Sequence, residues 1–154
     1  MQTIMKRIFI LIFLLAGIGS CSKDDKKDFV LNEPITEWNL TKEQVKALET
    51  HSLLKEDDFE LQYSADGEIS KIMYLFDEIP GEVWLGRSDL QLVHNKEVFD
   101  DVFSALKRLY GMNYNESHYD DGDNYYSWEV GDTYVELYYG NIRHELKYYR
   151  ITHQ

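Results

Sequence analysis

The chain has 154 residues, 44% hydrophobic and 14% aromatic, with 16 Lys and Arg against 28 Asp and Glu for a formal net charge of -12. That length suits one domain rather than two, and the apolar fraction is too high for a disordered polyanion. The acidic balance argues against a nucleic-acid partner, whose phosphates would repel it, and a single cysteine excludes an intramolecular disulfide and a cysteine-caged zinc.

Lys6 and Arg7 precede an apolar run from Ile8 to Leu15, extended to Ile18, ahead of Gly19, Ser20 and Cys21. A basic flank, a short apolar run and small residues predict a secretory signal over residues 1–20, starting at Met1 or Met5. The run is shorter than the roughly 20 apolar residues a spanning helix needs. Ile18-Gly19-Ser20-Cys21 resembles the lipobox of bacterial lipoproteins, with Gly at the middle position where Ala or Ser is usual. The resemblance implies lipid addition to the Cys21 thiol, cleavage before it and acylation of the new amino terminus. Several acyl chains anchor stably where one binds only marginally. Ser22, where an Asp would imply inner-membrane retention, implies outer-membrane delivery. Lys23-Asp24-Asp25 resembles the export tag that places such lipoproteins on the cell surface, and reads equally well as a solvated tether.

Loss of residues 1–20 leaves 14 basic against 28 acidic residues, so the acidity belongs to the exported part. Residues 21–34 are charged and low in apolar content until Phe29, which predicts a flexible linker before one domain over 35–154. Thr41 with Gln44 reads as a capping box, Leu40 with Val45 as a hydrophobic staple, and Val45, Ala47 and Leu48 as the buried stripe of a helix ending near His51. Phe59, Leu61 and Tyr63 alternate with polar residues, Ala65-Asp66-Gly67 predicts a hairpin turn, and Ile69 to Phe76 returns as a strand. Pro80-Gly81 reads as a break between halves, and Glu82 to Val93 as one or two strands turning at Arg87-Ser88-Asp89. Asn95 caps a second helix, in which Val98, Phe99, Val102, Phe103, Leu106, Leu109 and Tyr110 recur at helical spacing before Gly111. Tyr125 to Val130, Thr133 to Tyr139 and Ile142 to Ile151 read as three strands, turning at Gly131-Asp132 and Gly140-Asn141.

FELQYSADGEISKIMY resembles VELYYGNIRHELKYY, each an apolar-Glu-Leu-x-Tyr strand, a turn with Gly and an aromatic-ended return. The expectation is an α+β fold, an antiparallel sheet with two helices packed on one face, built as a tandem helix-hairpin repeat. That pattern is similar to small secreted modules of the beta-lactamase-inhibitor-protein type and to outer-membrane lipoproteins of the barrel-assembly accessory type.

Chemistry is sparse in the sequence. Asp120-Asp121-Gly122-Asp123-Asn124 has calcium-loop composition but not the ligand register, which would need Glu where Trp128 stands, so a solvated acidic loop is expected. His51, His94, His118, His144 and His153 show no metal-ligand spacing. No serine occupies a nucleophile elbow, no glycine-rich phosphate loop is present, and no catalytic residue, metal or other cofactor is assigned. Twelve Tyr and three Trp suit stacking on a protein or glycan partner. In the strand Thr133 to Tyr139, Val135, Leu137 and Tyr139 share one face and Tyr134, Glu136 and Tyr138 the other, a candidate binding face unless the tyrosines merely pad the sheet. The expected function is therefore a membrane-anchored envelope lipoprotein with a non-enzymatic binding or accessory role. The alternative is a glycan-processing enzyme with a carboxylate pair near Trp84 or Trp128.

Overall fold

The computed structural model describes residues 29–152 apart from 80–81 and 120–121. The signal, Cys21 and most of the expected linker lie outside the described residues. In chain order the elements are α1 (Lys42–Leu48), β1 (Leu53–Glu56), β2 (Glu60–Ser64), β3 (Ile69–Ile79), β4 (Glu82–Leu92), α2 (Lys96–Tyr110), β5 (Asn115–His118), β6 (Asn124–Val130), β7 (Thr133–Tyr139) and β8 (His144–Arg150). The strands form one sheet, ordered β1-β2-β3-β4-β8-β7-β6-β5, with every neighbour antiparallel.

Helix starts follow local chemistry. The Thr41 hydroxyl accepts from the Gln44 backbone N–H while the Gln44 side chain accepts from the Thr41 N–H, which satisfies two of the donors orphaned at a helix start. Asn95 accepts from Glu97 N–H at α2, and Gly111 ends that helix at φ 87°, a conformation that suits glycine. Helix α2 buries Phe99, Val102, Ala105 and Leu106. Helix α1 buries Val45 alone, and Leu48, expected in its stripe, is 53% exposed.

Pairing register sorts the sheet into two faces. Leu61, Tyr74, Ser88, Tyr148, Val135 and Trp128 run across six strands on one face, and all six are buried. Both helices lie on this side: Tyr74 donates to Glu49 at the end of α1, and Phe103 of α2 tilts against Tyr126 and Trp128. The segment before α1 crosses the same face. There Leu31 and Trp38 are buried, Ser88 Oγ donates to the Ile35 carbonyl at 2.6 Å and Trp38 Nε1 to Thr133 at 3.0 Å.

The expected α+β fold built as a tandem helix-hairpin repeat is overturned by a sheet-dominated architecture. Each helix is followed by four strands, and all eight join into one continuous, sheet-dominated layer. The matching segments fall on β2-β3 and β7-β8, ordinary neighbouring ladders of that sheet. Pro80-Gly81 does not divide halves, because β3 and β4 on either side pair from Ile79↔Glu82 onward. Residues 82–92 form one strand without a turn at Arg87-Ser88-Asp89. The irregularity there is a bulge at Gly86, where Leu75 and Phe76 pair with Arg87 and Leu85, and a Cβ on Gly86 would run into the Asp77 carboxylate.

Candidate functional site

On the face away from the helices, β4, β8, β7 and β6 carry three rows in register. Gln91, Glu145, Tyr138 and Tyr125 form the first; Asp89, Lys147, Glu136 and Ser127 the second; Arg87, Tyr149, Tyr134 and Glu129 the third. Tyr134, Glu136 and Tyr138 thus lie on this side, and Val135 and Leu137 in the core. Tyr138, expected to project freely, is only 8% exposed. Its hydroxyl donates to Asp123, its ring lies tilted against Tyr125 at 4.7 Å between centroids, and that hydrogen bond with some burial pushes its ionisation up to about 12. Asp123, expected in a solvated loop, also accepts from the Asn141 N–H at 3.2 Å.

At the other end Tyr134 faces Tyr149 at 6.2 Å between ring centroids, and the Arg87 guanidinium lies over the Tyr149 ring at 5.7 Å. Burial pushes the Tyr149 hydroxyl up to about 12. Between the two aromatic ends sits a charged strip. Arg87 pairs with Asp89 at 2.8 Å, and Glu145 pairs with Lys147 at 2.9 Å and Arg143 at 3.4 Å. Asp89 is 2% exposed and its Oδ1 has no hydrogen-bond partner among the described residues. Burial raises its carboxyl above the ordinary aspartate range despite the opposing pull of Arg87 and Lys147. Tyr149 and Arg87 were missed in the sequence; for Tyr149 the signal was that Glu145, Lys147 and Tyr149 alternate with the apolar Leu146 and Tyr148.

Of the concave sites elsewhere among the described residues, two carry acidic side chains. One, of about 430 Å³, is bounded by Glu33, Ile35, Glu49, His51, Ile69 and Tyr74. The other, of about 420 Å³, brings Glu43 and Asp58 beside Trp84. Trp128 sits in no such cleft: it is 2% exposed, and its Nε1 donates to the Gly111 carbonyl at 3.1 Å.

The fold also joins two histidines 50 residues apart, which sequence spacing could not reveal. His94 and His144 meet at 4.2 Å between ring centroids, tilted by 36°, with Tyr139 at 4.4 Å from His144. Burial first, and the neighbouring His94 second, lower the His144 pKa. His144 is thus held neutral in the fold while the unfolded chain takes up a proton near pH 6.5. Its contribution is fully present above that value and is lost as pH falls toward the lower folded value. The expected result is a stability loss between pH 7 and 5, measured by urea unfolding, that His144→Phe flattens; an unchanged slope in that variant would assign the loss to other groups.

Among the described residues, no group of three or more His, Cys, Asp and Glu is placed to hold a metal ion, and no helix is long and apolar enough to cross a membrane. Compared with known proteins, the chain matches no family model, no curated protein and no solved structure.

Proposed function

We propose that the protein is a lipoprotein of the bacterial cell envelope, anchored through Cys21 at the outer membrane, that binds a protein or glycan partner without chemistry of its own. The observation that carries the binding role is the sheet face bearing Tyr134, Tyr149 and Tyr125 on either side of a charged strip, turned away from both helices. Tyrosines offer large stacking area at low entropic cost, and the strip supplies register through paired charges. Tyr134→Ser with Tyr149→Ser is expected to leave the fold within about 1–2 kcal/mol, because both residues are half-buried rather than core, and to weaken partner capture at least tenfold. Unchanged capture by the folded variant would remove this face from the account.

Anchoring has its own test. Cells fed a clickable fatty acid should label the wild-type chain and not Cys21→Ser, which should leave the membrane fraction. Equal labelling of both would end the lipoprotein reading.

A glycan-processing reading has one observation in its favour, the Trp84 cleft with Glu43 and Asp58 in its lining. Trp84 supplies a stacking platform and the two carboxyl groups an acid-base pair. Hydrolysis of an envelope glycan that disappears in both Glu43→Gln and Asp58→Asn would favour it over binding alone.

A further inference from the structure

The cavity beside the end of α1 has chemistry that the sheet-face reading does not use. Its floor is Glu49, whose side chain is 6% exposed and whose carboxylate accepts from Tyr74 Oη at 2.5 Å, Thr50 N–H at 2.7 Å, His51 N–H at 3.0 Å and His51 Nδ1 at 2.6 Å. These donors hold Glu49 below the usual carboxylate range against the effect of burial, so the group stays anionic and fixed. The 2.6 Å contact also fixes the His51 ring in the cavity lining with Nδ1 toward Glu49, and no described residue meets its Nε2. Glu33 and Asp66 stand in the same lining with no hydrogen-bond or ion-pair partner among the described residues. Ile35, Ile69 and Ile72 supply an apolar wall. A volume of about 430 Å³ is within the range of small-molecule sites.

We propose that this cavity binds a small organic cation, an ammonium head on a short apolar body, with Glu33 accepting from the head and the isoleucines packing the body. The head is selected by what surrounds it. Carboxylates with no donors of their own repel a carboxylate or phosphate and leave a neutral hydroxyl too few protons to give, whereas an ammonium has three. The apolar wall disfavours a bare, strongly hydrated metal ion. Free amines and lysine side chains share this chemistry.

The test is titration of the full chain with n-butylammonium, n-butanol and butyrate, followed by calorimetry and by the ring resonances of His51. The expected result is saturable n-butylammonium binding that shifts His51, with n-butanol and butyrate at least about tenfold weaker. Glu33→Gln should weaken the ammonium about tenfold with an unchanged melting curve, since Glu33 is exposed and partnerless. Binding that ignores ligand charge, that leaves His51 unmoved, or that survives Glu33→Gln would overturn the proposal. A lysine within a short neutral peptide separates the sources: tighter binding than n-butylammonium supports a polypeptide side chain, and weaker binding supports a free amine. Each outcome is independent of capture by the sheet face.

Discussion

Trp128→Ala is expected to destabilise the protein by about 3–5 kcal/mol, the range for removing a large aromatic side chain from a core that cannot collapse around the gap. Trp128 is the largest fully buried side chain among the described residues, contributed by β6 and enclosed by Phe103 at 6.1 Å, Tyr114 at 5.4 Å and Tyr110 at 6.4 Å between ring centroids. Its loss also leaves the Gly111 carbonyl, at the end of α2, without the Nε1 donor. The melting temperature should fall by roughly 10–15 °C. Trp128→Phe keeps a ring but not the donor, and should cost only about 1–2 kcal/mol. A loss below about 1 kcal/mol for Trp128→Ala would mean that α2 does not depend on this contact.

Arg87→Met is expected to cost about 3 kcal/mol, because it strips the paired cation from a carboxylate with almost no access to water. The figure stands at the low end for a broken buried pair because the Arg87 side chain is itself 37% exposed. The double substitution Arg87→Met with Asp89→Leu should recover most of the loss, since an apolar pair avoids both desolvation costs. The pH dependence has a fixed sign. The folded Asp89 carboxyl is raised, so its penalty is absent when the group is protonated in both states and grows as pH rises through the unfolded and then the folded value. The gap between single and double variants, measured by urea unfolding, should therefore be widest at neutral pH and narrow as pH falls toward 4. A gap independent of pH would mean that Asp89 is not the group left unpaired.

These two residues also show what the sequence could and could not disclose. Helix α2 was legible because its apolar residues recur at helical spacing between a capping Asn95 and Gly111, and β7 because Val135 and Leu137 alternate with Tyr134 and Glu136. Strands β1 and β5 were missed because all their residues are exposed, which leaves no alternation to read. The Arg87-Ser88-Asp89 stretch reads as a turn by composition, yet Ser88 and Asp89 are buried at the middle of the sheet. What stabilises them there is non-local: the Ile35 carbonyl accepting from Ser88, and β8 pairing alongside. The repeat misled for a related reason. Similar hairpin sequences specify local strand pairs, but the single sheet is decided by the β4-β8 ladder, which joins residues about 60 positions apart. The cavity was invisible for the same reason, since Tyr74 lies 25 residues from Glu49.

Photo-crosslinking in intact cells tests the binding account most directly, with a benzophenone side chain placed at Tyr134 on the sheet face or at Lys107 on α2. The account predicts a discrete adduct from position 134 that is lost when Tyr149→Ser is added, and none from position 107. Equal adducts from both positions, or none from position 134 in a correctly anchored and folded chain, would contradict it.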